Sequence, residues 1–332
     1  MDILIFFVGV LTLAGFYAII SMLLNIESGW AGMWDLGIAG LLAVGAYTYV
    51  LTTQTQVPVG LSFAPQWPMW AGILAAGLMT GLVALVIGAP ALRVRGEYFL
   101  ITTLAFAEVI HQLAVNLTTI TRGTVGFSQL QRPFASVAAG TQYRFVLLAI
   151  VVVVGIVVYA LSMRIGRSPY GRLMRALRDN EGVALSLGKH ISRYRIQTFV
   201  LVGVLYGLSA PIYVWYIRSL VPQLFAPDIT FTAWTALVIG GVGSFRGPAL
   251  GAALLLLLTE TLQFVQGSAQ YATLLASTRP IILGILLIVV MRWRPQGLIA
   301  ERTDFRNMSQ RMLREAVPDR ASPAPSVGED PG

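Results

Sequence analysis

The stretch FVLLAIVVVVGIVVYALSM, Phe145 to Met163, contains no charged side chain and gives way at once to Arg164, Ile165, Gly166 and Arg167. A hydrocarbon core about 30 Å thick asks roughly 20 consecutive apolar residues of any helix that crosses it, because every backbone N–H and C=O must be satisfied within the segment. This stretch meets that demand. The whole chain shares its character: 56% of the 332 residues are hydrophobic, 11% are charged and the mean hydropathy is +0.73, against about 25% charged residues in ordinary soluble domains. The solvent for this protein is lipid.

Blocks of the same kind run from Ile3 to Leu24, Trp70 to Leu92, Phe99 to Leu117 and Thr198 to Ile217. Ala31 to Leu51 reads as a further span despite Asp35, which sits near one end of a Gly/Ala-rich run able to pack closely. After Thr230 the pattern loosens. Thr232 to Val242 is short, the run Gly240 to Pro248 interrupts it, and Ala249 to Phe264 and Pro280 to Met291 follow. Short, tilted or broken helices lining a cavity are expected there.

Loops rich in Lys and Arg stay cytoplasmic. Arg164, Arg167, Arg172, Arg175, Arg178, Lys189, Arg193 and Arg195 crowd one such loop, and Arg93 and Arg95 fall on the same side. The loop Thr52 to Pro68, without a basic residue, falls outside, and so does the N-terminus. If the last three blocks each cross, the tail with Arg292, Arg294, Arg302, Arg306, Arg311 and Arg314 lands in the cytoplasm. The expectation is an all-α integral membrane protein of the inner (plasma) membrane, a bundle of about nine transmembrane helices, some short or broken. Residues 1–300 would form the membrane domain with a cytoplasmic loop at 164–196. Residues 301–332, with the run Ala321 to Ser326 rich in Ser and Pro, would form a disordered cytoplasmic tail.

Several functions are excluded by what the chain lacks. Zero cysteines rule out disulfides and thiol chemistry, and the only histidines, His111 and His190, cannot build a multi-histidine metal site. No Ser-His-Asp arrangement or His-Glu-x-x-His string suggests an enzyme, and no metal ligand set is expected. The net charge of +8 sits at the ends of apolar blocks, where it orients helices rather than binding nucleic acid. The single lysine, Lys189, belongs to no Gly-x-x-x-x-Gly-Lys string, so no nucleotide or other cofactor is expected on this chain. The opening Met1-Asp2 lacks a basic n-region, and the first helix is expected to stay.

The basic loop carries the sharpest signal. Ser168 suits an N-cap, Pro169 the first helical position and Gly188 a left-handed C-terminal cap. Arg172, Arg175 and Arg178 recur every three residues and are expected on one face, with Leu173, Met174 and Leu177 as the apolar stripe. An amphipathic cytoplasmic knuckle results. Such a stretch alone also fits an interfacial helix lying on anionic lipid.

The spacing of Ser168, Gly171, Arg172, Arg175, Ala176, Arg178, Asn180, Glu181, Ala184 and Gly188 resembles the ATPase-coupling loop of ABC-importer permeases, in the form found in the branched-chain amino acid family. Leu24-Asn25 with Gly29 to Gly32, Gly88 to Phe99, Thr103 to Phe106, Gly240 to Pro248 and Arg294 to Leu298 are similar to further signatures of that family, in order, so that the resemblance covers nearly everything from Leu24 to Leu298. One departure is plain: many members have Gly-His near the start of the second span, where this chain has Asp35-Leu36-Gly37-Ile38. The resemblance implies a type II-like ABC importer permease. Its partners would be a second homologous permease, forming a heterodimer, two cytoplasmic subunits that bind ATP, and an extracytoplasmic substrate-binding protein.

Candidate residues of the translocation path are the ionisable groups at membrane depth: Asp35, Glu108, His111 and Glu260. Glu108 and His111, three residues apart, share a helix face and are expected within hydrogen-bonding reach. Pinning neighbouring helices is an equal reading, and for Glu260, with Gln263 three residues on, a place at an interface or near the outer end of its helix is the favoured one. Gly29, Gly32, Gly240, Gly241, Gly243 and Gly247 are expected as backbone breaks or close-packing points. A permease for urea or short amides, or a proton-coupled secondary transporter using Asp35, Glu108 and His111, remains an alternative.

Overall fold

The computed structural model describes residues 2–53, 65–92, 97–134, 140, 142–186, 188, 190–265, 281, 284, 285 and 287–301. The first helix, α1 (Asp2–Leu24), continues beyond its apolar block as a π-helix over Asn25–Trp30. The helix therefore runs 28 residues, Ile3–Trp30, where the sequence suggested a loop after Leu24. The chain then leaves helical geometry through residues 31–37 and resumes as α2 (Ile38–Thr53). The span expected from Ala31 is thus an extended link followed by a 16-residue helix, about 24 Å long at 1.5 Å per residue.

Next come α3 (Met69–Ala91), α4 (Glu97–Asn116), the single turn α5 (Thr118–Thr121) and strand β1 (Phe127–Ser128). The basic loop follows α6 (Gln142–Arg167) and folds as α7 (Pro169–Asp179) and α8 (Glu181–Ser186), which lead into α9 (Ile191–Ile217). Strand β2 (Ser219–Leu220), a 3-10 turn at Pro222–Phe225, α10 (Pro227–Gly240) and α11 (Gly247–Val265) complete the order, with residues 287–293 helical as well. By length and composition five helices among the described residues can cross a membrane: Ile3–Trp30, Met69–Ala91, Tyr98–Asn116, Gln142–Arg167 and Ile191–Ile217. Much of the expected last span, the residues Arg93, Arg95 and Lys189, and the tail beyond Glu301 lie outside the described residues.

Lipid tails are as apolar as leucine, so helices in lipid associate by close packing rather than by hiding from water. The sequence of α3 shows how. Gly72, Ala76, Thr80, Ala84 and Gly88 recur every four residues on its buried face, while Leu74, Leu78, Leu82 and Leu85 point outward on the other. The small face lies antiparallel against α9. A Cβ on Gly77 would stand 2.7 Å from Leu208, one on Gly88 2.8 Å from Phe199, and one on Gly203 2.6 Å from Ala84. α2 joins the same seam, since Gly45 would meet the Gly207 Cα at 2.8 Å.

The bundle has two distinct ends. At one, β1 and β2 pair antiparallel, Phe127 with Leu220 and Ser128 with Ser219, between the start of α6 and the end of α9. At the other, Trp30, Phe245, the Arg164 to Arg167 end of α6 and α7 come together. Gly207 lies where α2, α3 and α9 converge: a Cβ there would meet the Ala76 carbonyl and the Thr80 hydroxyl, each at 2.5 Å. Gly207→Val is expected to cost about 1–3 kcal/mol or more through overpacking, read as a lower unfolding temperature of the detergent-solubilised protein.

Candidate functional site

The knuckle α7 is built locally as its sequence demands. The Ser168 hydroxyl accepts the Gly171 N–H at 3.3 Å, and Pro169 occupies the first turn. Gly171 is pressed against the preceding chain, where a Cβ would collide with the Ile165 carbonyl and stand 2.7 Å from the Gly166 Cα. Met174 and Leu177 are buried. The Tyr170 hydroxyl shares a 2.8 Å hydrogen bond with Thr198 of α9, and burial pushes its pKa above the ordinary value.

The three arginines do not share a face. A helix turns about 100° per residue, so positions six apart sit about 120° from each other. Arg172 stays exposed and donates to the Arg167 carbonyl at 3.1 Å. Arg175 turns inward to the Gly166 carbonyl, and Arg178 reaches the Gly29 carbonyl on the π-helix. The outward face is formed instead by Arg172, Ala176, Asp179 and Asn180. Glu181 opens α8 and pairs with Arg195 of α9, and Gly188 has φ +71°.

The segment that Arg178 grips is itself clamped. Asn25 donates to the Ser244 carbonyl at 2.8 Å and accepts the Gly243 N–H at 2.7 Å, and the Trp30 indole donates to the Gly243 carbonyl at 3.2 Å. Gly29 lies inside the π-helix, not at a break, and a Cβ there would stand 2.8 Å from the Gly243 nitrogen. Gly32, with φ +66°, lies in the extended link beneath Arg178. Gly240 closes α10, Gly247 opens α11, and Gly241 and Gly243 form the loop between them. The last carbonyls of α10 are satisfied from the C-terminal side: Leu298 and Ile299 donate to Ile239 and Gly240 at 2.9 and 3.0 Å. Knuckle, π-helix, glycine loop and C-terminal segment form one continuous polar contact.

Polar groups at depth are distributed unevenly. Asp35 is fully buried in the extended link; its carboxylate accepts the Gly37 N–H at 2.7 Å and its carbonyl accepts the Trp234 indole N–H at 2.7 Å. Glu27, not among the sequence candidates, is also fully buried, on the π-helix. Its signal was an acidic residue three positions past the apolar block that ends at Leu24. Tyr206 of α9 is buried within electrostatic reach of both carboxylates. Glu108 and His111 approach to 3.7 Å, but Glu108 is exposed and accepts a closer hydrogen bond from Gln112 at 2.7 Å. They sit on α4 and line a small pocket with Leu36 and Ala39, and Glu260 lies on α11 beside Tyr216. The sequence candidates thus do not converge on one point. Among the described residues no group of three or more His, Cys, Asp or Glu is placed to hold a metal ion.

At the end away from α7 a cavity of about 650 Å³ opens among Thr12, Arg132, Tyr143, Arg144, Tyr216 and Arg218.

Apolar helices long enough to cross a membrane, broken helices between them and an amphipathic knuckle held at one end define a multi-pass membrane transport permease. The family model described as "Branched-chain amino acid transport system / permease component" matches residues 6–291. The chain belongs to this family of ABC-type permeases. It is 30% identical over 314 residues to the high-affinity branched-chain amino acid transport system permease protein LivM of Escherichia coli (strain K12), covering 88% of this chain and 69% of that protein. A probable branched-chain amino acid transport permease protein LivM of Methanocaldococcus jannaschii is 26% identical over 319 residues, covering 87% and 91%. The ribose import permease protein RbsC of Bacillus subtilis (strain 168) is 26% identical over 241 residues, covering 69% and 73%. No solved structure matches the chain.

The Asn25 clamp predicts its own test. Asn25→Ala strands a backbone N–H and a C=O in the bundle, at about 1–3 kcal/mol for each group left unpaired. Its unfolding midpoint in denaturant should fall accordingly, while Asn116→Ala, at an exposed position of α4, should leave it unchanged.

Proposed function

We propose that the chain is the membrane-spanning subunit of an ATP-driven importer that carries branched-chain amino acids into the cytoplasm. It works with a second homologous permease as a heterodimer, two cytoplasmic ATPase subunits and an extracytoplasmic substrate-binding protein. ATP is bound and hydrolysed by the partners, not by this chain. The protein lies in the inner membrane with its N-terminus outside, about nine crossings and its C-terminus in the cytoplasm.

The observation that carries this reading is the Arg178 contact. An interfacial helix would only need to lay its apolar face on lipid. α7 instead buries Met174 and Leu177 in the protein, presents Arg172, Ala176, Asp179 and Asn180 outward, and holds the Gly29 carbonyl with Arg178. A partner that moves the outward face therefore moves the π-helix, and the π-helix carries Glu27 and is clamped to the glycine loop between α10 and α11. Rigid transmission through packed elements is how such a displacement reaches the membrane interior. The link at residues 31–37, where Asp35 lies, is the unwound segment expected of a transporter at depth.

Gly171→Leu has no room for its side chain, and Glu181→Lys replaces the Arg195 ion pair with repulsion. Both should lower ATP-driven leucine uptake into proteoliposomes by about tenfold or more, within the range of ordinary coupling energies, with membrane insertion unchanged. Arg178→Ala should leave ATP hydrolysis running while uptake falls. Wild-type uptake in all three variants would defeat the coupling assignment, and uptake of urea or short amides but not leucine would defeat the substrate.

A further inference from the structure

The cavity at the far end of the bundle is lined by Arg132, Arg144 and Arg218. Arg144 stands in the first turn of α6 and Arg218 ends α9, so both lie away from α7, on what is the outer face in the proposed topology. Basic residues are disfavoured there by the same bias that crowds arginine into the cytoplasmic loop. Their placement asks for another cause.

The site is assembled by long-range contacts. Pairing of β1 with β2, and the Leu130 N–H donated to the Arg218 carbonyl at 3.2 Å, hold the segment after α5 against the end of α9. This brings Arg132 beside Tyr143, its guanidinium 4.7 Å from the ring centre. The Arg132 Nε is buried with no hydrogen-bond partner. Burial, and then the neighbouring charge of Arg218, pull its pKa below the ordinary value. Arg218 projects from a left-handed residue with φ +65°, a conformation that is costly for a residue with a Cβ. No carboxylate is among the lining residues; Glu260 reaches Tyr216 from α11 without joining them.

Three guanidinium groups around one cavity repel each other until an anion enters, and the planar fork of arginine suits a carboxylate. Leu147, Tyr143 and Tyr216 supply the apolar part of the wall that a hydrocarbon side chain needs. We propose that Arg132, Arg144 and Arg218 receive the carboxylate of the amino acid as it enters the path. The assignment rests on the import reading above, and wild-type leucine uptake, measured first, tests that reading separately.

The test uses the membrane complex of both permeases and both ATPase subunits, purified without the substrate-binding protein. Radiolabelled leucine bound to the wild type should be displaced by isovalerate, which keeps the carboxylate, and not by leucinamide, which lacks it. Arg218→Gln and Arg144→Gln, both at exposed positions, should each weaken leucine binding by about tenfold, the scale of one charge-assisted hydrogen bond. Arg218→Lys should restore part of the loss. The proposal is overturned if leucinamide competes as well as isovalerate, if inorganic phosphate competes equally, or if a wild type active in uptake shows no saturable leucine binding. It is also overturned if assembled Gln variants keep their leucine affinity and lose only affinity for the substrate-binding protein.

Discussion

Lipid offers no hydrogen bonds, so each place where a helix breaks at membrane depth must find partners inside the protein. This constraint organises one end of the molecule. The π-helix, the extended link and the glycine loop leave backbone groups unpaired by regular geometry, and side chains meet them: Asn25 takes Gly243 and Ser244, Trp30 takes Gly243, Thr103 accepts from Leu36, and Arg178 donates to Gly29. The knuckle is therefore part of the solution to the breaks. Removing α7 would leave a carbonyl at Gly29 without its cation, which ties an outward-facing surface to the interior by necessity.

The small-residue seam gives that end something rigid to push against. Where α3 and α9 meet backbone to backbone, neither helix can shift without collision, and α2 is held in the same seam by Gly45 and Gly207. The irregular parts lie elsewhere: the π-helix, with its non-standard turn, and the link at residues 31–37. A transporter needs this division, since alternating access moves packed bodies about a few irregular segments. Glu27 and Asp35 are buried in those segments, within electrostatic reach of Tyr206.

The two ends have opposite character although both are rich in arginine. Near α7 the guanidinium groups of Arg175 and Arg178 donate to backbone carbonyls, Arg178 also pairing with Asp179, and serve structure. At the far end Arg132, Arg144 and Arg218 line a common space, Arg144 also donating to the Ile5 carbonyl at 3.5 Å. One residue type thus does different work according to whether acceptors or a cavity lie opposite it.

Much of this was legible in the chain alone. Apolar blocks located α1, α3, α4, α6 and α9 within a few residues, because crossing lipid is a local demand that each segment meets by its own composition. Ser168 and Pro169 likewise announced a helix start, since a cap is satisfied within one turn. Tertiary structure decided what composition could not. The helix runs on past Leu24 because Asn25 and Trp30 find partners more than two hundred residues away in sequence, and Glu27 is buried for the same reason. Arg175 and Arg178 turned inward because acceptors lay there, which a three-residue spacing does not encode. The arginine cavity depended on a two-residue strand pair joining distant loops, an arrangement set by register and closure and carried by no periodicity in the sequence.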